Sequence, residues 1–168
     1  SEMCIRDSPN ACPPDRLQWY RAAIGGLIHL TVMTRPDIAY AVNSASQFMS
    51  NPDESHVTAV KRIFCYLRGT THYSLKYFRC AEGITFYASV DANFLGDYNA
   101  RSVTGEIFLS GNGLLHWSSK RQATVATSTP HAECIGFFTA VKHVIHLRKL
   151  LNGFKVLGHK IAGPTIIY

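Results

Sequence analysis

At 168 residues with a net charge of +6, the chain has room for one domain or two small ones. Its 46% hydrophobic content suffices for a packed core, yet no stretch approaches the roughly 18 uninterrupted apolar residues of a membrane span. The N-terminus carries Glu2, Cys4, Arg6 and Asp7 where a secretory signal would be apolar.

Residues 1–16 have no apolar periodicity, contain Pro9, Pro13 and Pro14, and read as a disordered or foreign lead-in. From Trp19 to about Val32, Tyr20, Ile24, Leu27, Ile28 and Thr31 follow a helical spacing. Arg35-Pro36-Asp37 punctuates it, and Pro36 suits the first turn of a second helix bearing Ile38, Ala41, Val42, Ala45, Phe48 and Met49. Asn51-Pro52 ends that helix. A third starts near Asp53 to Ser55, carries Val57, Val60, Ile63, Phe64 and Leu67, and stops at Gly69. Lys61, Arg62 and Arg68 decorate it, either to grip phosphate or as a solvated face.

After Tyr73 the texture changes to strands. Ser74–Phe78 is short and β-prone, and Ile84–Asp91 is a β-rich run between Gly83 and Gly96. Thr104–Ser110 and Leu114–Ser118 flank Gly111-Asn112-Gly113 and predict a hairpin. Ser128-Thr129-Pro130 opens a long helix with a hydroxyl cap and an early proline. Its predicted apolar stripe is Cys134, Phe137, Phe138, Val141, Val144, Ile145 and Leu151, before Gly153 and Gly158. Pro164–Tyr168 reads as a strand, which the helix would bring back parallel to the first. The expectation is an α/β chain, α+β overall: a helical segment, then a mixed sheet with one long crossover helix.

The positive excess lies wholly after Asp97, where Glu106 and Glu133 face eight Lys and Arg. A basic half suits a polyanion, most simply nucleic acid, or serves solubility. The cysteines, Cys4, Cys12, Cys65, Cys80 and Cys134, are odd in number and form no CxxC pair. That argues for reduced intracellular thiols, against a disulfide framework and against a structural zinc.

Two carboxylates stand out. Asp91 ends a predicted strand and Glu133 lies in the first turn of the next helix; such a pair can hold Mg²⁺, which prefers oxygen ligands. Each also has a structural reading: Asp91 as a turn residue, Glu133 as a complement to the helix dipole. Asp97 sits in a loop-like Gly96–Asn99 setting. His143 and His146 are three apart on one helix and could touch, with no third ligand evident. Ser118, Ser119 and Ser128 lack a His/Asp arrangement for covalent catalysis, and no glycine-rich phosphate loop is present.

Taken in order, the blocks Tyr20–Gly25, Thr34–Val42, Phe48–Pro52, Ala59–Ile63, Tyr66–Thr70, Asp91-Ala92-Asn93, Thr104-Gly105, Trp117–Gln122 and Ala132-Glu133 resemble the end of the Pol polyprotein of copia-type long-terminal-repeat retrotransposons. The resemblance runs from about Tyr20 to Tyr168. It implies that residues 17–78 are a reverse-transcriptase thumb or connection segment and that residues 79–168 begin an RNase H domain, which cleaves RNA in RNA/DNA hybrids with Mg²⁺ or Mn²⁺. It further implies that Asp91 and Glu133 are the catalytic, metal-binding carboxylates. Lys61, Arg62, Arg68, Arg101, Ser119, Lys120 and Arg121 become the nucleic-acid-binding candidates. Expected partners are the hybrid and the rest of the polyprotein, not a membrane, and the expected location is a cytoplasmic virus-like particle or the nucleus.

Departures from the family pattern are Asn93 in place of Asp, His131 in place of Glu, Cys134 in place of Tyr, and Glu106 in place of an aromatic residue. Glu106 is expected to face water. The polymerase metal motif is absent. The third catalytic aspartate would fall about two residues past Tyr168, and no Asp or Glu follows Glu133. Because a two-metal site takes more than two carboxylates, the expectation is a nuclease domain cut off before its site is complete. An alternative is a non-catalytic nucleic-acid-binding remnant. A sheet left with an unpaired edge and an uncovered apolar face should be marginally stable.

Overall fold

A computed structural model describes residues 12–77, 86–96, 101–110, 113–153 and 163–168. The chain forms two compact units that divide between Ser74 and Leu75.

The first unit is helical: α1 (Pro14–Met33), a 3₁₀ turn (Pro36–Ile38), α2 (Ala39–Ser46) and α3 (Glu54–Gly69). Pro14 occupies the first turn of α1, where its missing N–H costs nothing. The helix therefore starts inside the span expected to be a lead-in, while residues 1–11 lie outside the described residues. α1 buries Tyr20, Ile24, Leu27 and Thr31, a stripe at spacings of four and three. Tyr20, Ile24 and Leu27 meet Ile38, Val42 and Ala45, and Val57, Val60 and Ile63 of α3, in one core. The buried Tyr20 hydroxyl donates to the Ala45 carbonyl at 2.7 Å, so the core holds no orphaned phenol. Ile28 and Phe64, expected in the stripes, are about 41% exposed.

Asp53 caps α3. Its Oδ1 accepts the His56 N–H at 3.0 Å, and His56 Nδ1 reaches back to the Asp53 N–H at 3.1 Å. At the other end of α3, Arg35 folds in and is only 8% exposed. Its guanidinium donates to both Asp37 carboxylate oxygens at 3.0 and 2.7 Å, and to the Thr70 hydroxyl and carbonyl at 2.6 and 3.2 Å. A cation at a helix C-terminus complements the dipole there.

The second unit is built on β1 (Phe86–Asn93), β2 (Val103–Ser110), β3 (Gly113–Arg121), α4 (Thr129–Gly153) and β4 (Ile166–Ile167). The sheet order is β3-β2-β1-β4. β1–β2 and β2–β3 are antiparallel, and β4 is parallel to β1 with α4 as the crossover, as the sequence predicts. The chain is thus an α/β protein. Ser74–Tyr77 forms no strand; instead the Tyr77 hydroxyl donates to the Leu114 carbonyl at 2.8 Å. Phe78, Ile84 and the turn residues Gly111 and Asn112 lie outside the described residues.

α4 corrects the sequence reading most. Its buried residues are Ala132, Gly136, Ala140 and Val144, every fourth position. Of the predicted stripe only Val144 is buried; Phe137, Phe138 and Ile145 are 53%, 60% and 49% exposed. The reason is space. A Cβ on Gly136 would stand 3.2 Å from Thr104 Cγ2 and 3.5 Å from Val90 Cγ1, so the helix rides close to the sheet on its small residues. Phe86 and Phe108 of the sheet fill the bulk of that core, against Ala140 and Val144.

Candidate functional site

Period-two alternation on β1 puts Phe86, Ala88 and Ala92 under α4 and turns Asp91 the other way, to an exposed position. Across the sheet the register aligns Asp91 with Gly105 and, beyond it, Ser119. The neighbouring rungs are Ala92–Thr104–Lys120 and Asn93–Val103–Arg121. Four sequence-predicted residues, Asp91, Ser119, Lys120 and Arg121, therefore occupy one end of the sheet. Asp91 Oδ1 accepts the Ala92 N–H at 2.9 Å. Just beyond β1, Leu95 has a φ of 55°, a left-handed conformation that disfavours a leucine.

Glu133 is exposed in the first turn of α4. Three devices fix that turn. Ser128 Oγ accepts the His131 N–H at 3.3 Å, the hydroxyl cap expected from sequence. His131 Nδ1 accepts the Thr127 N–H at 3.2 Å, so this histidine serves the helix start. The buried Gln122 amide donates to the Ala132 carbonyl at 2.8 Å and to Thr104 Oγ1 at 2.9 Å, stapling the end of β3 to both β2 and α4. As a result Ala132 packs with Ala92 and Ala126. Asp91 and Glu133 are the chain neighbours of two alanines in one small core. Both are hard oxygen donors of the kind Mg²⁺ takes, but among the described residues no third His, Cys, Asp or Glu forms a ligand group with them. Asp97 lies outside the described residues.

The remaining basic candidates are spread out. Lys61, Arg62 and Arg68 are exposed on α3 in the helical unit. Arg101 donates to the Ala123 carbonyl at 3.2 Å.

A second constellation was missed by the sequence reading. Glu106 does not face water: it is 3% exposed, beneath α4. Alternation explains this, since Thr104, Glu106 and Phe108 share one face of β2, and Glu106 pairs with Val90 and Ser118. The flanking Thr104 and Phe108 were the signal that could have placed it. Ser118 Oγ donates to Glu106 Oε1 at 2.7 Å, His143 Nδ1 lies 2.8 Å from the same oxygen, and His116 Nε2 lies 3.7 Å from it. Burial acts to raise the Glu106 pKa; bonding to His116, Ser118 and His143, with the charge of His143, outweighs it and holds the carboxyl at about 2. His143 thus pairs with His116 and Glu106, while His146 is exposed.

The fold is an α/β sheet with a crossover helix, and its blocks have relatives. The retrovirus-related Pol polyprotein from transposon TNT 1-94 of Nicotiana tabacum is 41% identical over 134 residues, covering 79% of this chain and 10% of the relative. That from transposon RE1 of Arabidopsis thaliana is 36% identical over 150 residues, covering 89% of this chain and 10% of the relative. The secreted RxLR effector protein 161 of Plasmopara viticola is 37% identical over 129 residues, covering 76% of this chain and 90% of that protein. The chain belongs to the family of retrovirus-related Pol polyproteins of copia-type transposons, and it spans about a tenth of the length of the two polyproteins described. No family model and no solved structure matches it. Among the described residues, no helix is long and apolar enough to cross a membrane.

Proposed function

We propose that the sheet unit is the opening part of an RNase H-type domain, and that the helical unit is the thumb or connection segment preceding it in a reverse transcriptase. The substrate class is an RNA/DNA hybrid and the metal is Mg²⁺ or Mn²⁺. Asp91 and Glu133 would contribute two of the metal-binding carboxylates.

One observation carries this reading: Ala92 and Ala132, the chain neighbours of the two acids, pack together under the Gln122 staple. β4 supports it. The Val90 N–H donates to the Tyr168 carbonyl at 3.0 Å, so the parallel strand runs toward the Asp91 end of β1. Lys120 and Arg121 at the same end suit phosphate. The exposed Lys61, Arg62 and Arg68 would extend nucleic-acid contact from the helical unit.

The test is Mg²⁺- or Mn²⁺-dependent cleavage of an RNA/DNA hybrid by the chain, with Asp91→Asn and Glu133→Gln alongside. Cleavage lost in both variants supports the reading. Cleavage that survives both overturns it. The absence of a third acid beside Asp91 and Glu133 among the described residues favours a second reading, nucleic-acid binding without catalysis. Under that reading no cleavage occurs, and hybrid affinity falls steeply with salt through the Lys and Arg contacts.

A further inference from the structure

We propose that Glu106, His116 and His143 form a binding site for a zinc-class divalent transition metal, separate from the Asp91 and Glu133 carboxylates. Three elements converge to make it: β2 supplies the carboxylate, the adjacent β3 one imidazole, and α4 the other. One donor atom from each side chain lies within 4.8 Å of the other two.

The arrangement is an awkward one for a mere ion pair. Glu106 Oε2, His116 Nε2 and His143 Nδ1 are all buried; both imidazoles lean on the single oxygen Oε1, and Oε2 has no hydrogen-bond partner among the described residues. His143 Nδ1 stands 2.8 Å from Glu106 Oε1, which also accepts the Ser118 hydroxyl. A buried polar atom without a partner is costly, and a carboxylate with a free oxygen beside two imidazoles has lone pairs left for an acceptor. A metal ion is such an acceptor. Around tetrahedral zinc, donors at about 2.0–2.2 Å lie roughly 3.3 Å from each other. The distances of 2.8 and 3.7 Å to Oε1 bracket that spacing.

The chemistry of the donor set selects the ion. Two imidazole nitrogens and one carboxylate suit zinc, cobalt or nickel, whereas Mg²⁺ prefers oxygen ligands throughout. The surroundings are those of a supported ligand shell. Ser118 Oγ fixes the orientation of the carboxylate. Phe108 borders both rings, with centroid separations of 5.4 Å to His116 and 6.2 Å to His143, and makes the floor apolar. The donor atoms themselves are buried, while the two histidine side chains as a whole remain 38% and 35% exposed. The set contains no cysteine, which is why cysteine spacing gave no hint of it.

The experiment is a titration of the purified full chain with Co²⁺, followed by displacement with Zn²⁺. The expected result is one equivalent of Co²⁺ giving the intense visible absorption of a four-coordinate site, removed by one equivalent of Zn²⁺. His143→Gln and His116→Gln should each weaken Zn²⁺ binding at least about tenfold, the loss seen even when an outer-shell residue is removed. His146→Gln, at an exposed histidine on the same helix, should bind as the parent does. No visible absorption, or equal absorption in His143→Gln and the parent, would overturn the site. Should His143→Gln not fold, as judged by circular dichroism, the half-exposed His116→Gln decides: retained one-equivalent binding overturns the proposal and its loss supports it.

Discussion

Among the described residues each unit buries one charged side chain, and the two are treated in opposite ways. In the helical unit Arg35 directs four hydrogen bonds at Asp37 and Thr70, and Tyr66 and Tyr73 flank it with ring centroids 5.7 and 5.8 Å away. In the sheet unit Glu106 is equally buried, yet one carboxylate oxygen has no hydrogen-bond partner among the described residues. A fully paired buried charge is a clamp that holds backbone in place. A half-paired one is a group with bonding capacity left over, and the place to look for a ligand.

The clamp should carry the largest single contribution to stability. Arg35→Ala leaves Asp37, whose side chain is 29% exposed, without its cation and frees the Thr70 carbonyl at the end of α3. The expected loss is about 3 kcal/mol, the lower end for breaking a buried pair because Asp37 is partly exposed. Arg35→Lys keeps the charge and loses the two-pronged contact, so it should recover less than half of that. Chemical denaturation of the three proteins measures both. An Arg35→Ala loss under about 1 kcal/mol would mean that the clamp is decorative and the contrast with Glu106 unfounded.

Acid titration sharpens the same contrast. The Glu106 carboxyl is held at about 2, below its ordinary 4.5, so between those values the unfolded chain binds the extra proton. Its contribution is complete above about pH 4.5 and is lost as pH falls toward 2. Arg35 holds the Asp37 carboxyl low as well, so the helical unit also loses stability on that side. The difference between the chain and Glu106→Gln isolates the buried glutamate, which faces His116 from β3 and His143 from α4. We expect the stability gap between the two proteins to narrow from pH 5 to pH 2.5. A gap independent of pH would show that Glu106 does not titrate low.

Much of this architecture was legible from the sequence. Three helices followed from apolar spacing, and two helix starts from Asp53 and Ser128, because caps and periodicity are local properties; the second helix, read from Pro36 to Asn51-Pro52, is shorter, Ala39–Ser46, with Pro36 in a separate 3₁₀ turn. The parallel return of β4 followed from chain order. Asp91 and Glu133 were legible as candidates for the same reason: a strand end and a helix start are local features. What failed was not local. Phe137 and Phe138 looked like core and are exposed, because the space beneath α4 is set by Thr104 and Val90, far away in sequence. Arg35 read as punctuation because Thr70 becomes its neighbour only after folding. Glu106 could have been placed by alternation with Phe108, but its histidines arrive from a different strand and a helix.

Glycines repeat the contrast between the units on a smaller scale. Gly136 is pressed against Thr104, which the Gln122 hydrogen bond holds in place. Gly136→Val should overpack that contact and cost about 2 kcal/mol, and it should disturb the α4 turn that carries Glu133. Gly26, in the middle of α1, has nothing within 4 Å of an added Cβ. Gly26→Ala should therefore stabilise by about 0.5–1 kcal/mol through helix propensity alone. Thermal melts read both signs. Loss of stability in Gly26→Ala would mean that the exposed face of α1 makes a contact.

The smallest effect lies closest to the proposed active end of the sheet. Leu95, four residues past Asp91, holds a φ of 55° while 49% exposed. A left-handed leucine costs about 1–2 kcal/mol, and glycine removes that cost while adding about 0.5–1 kcal/mol of backbone entropy to be lost on folding. Leu95→Gly should then gain about 0.5 kcal/mol, with no large apolar contact given up in exchange. If the variant is instead destabilised, the leucine side chain is holding the turn after β1. The strain would then be one cost of positioning the segment that follows Asp91.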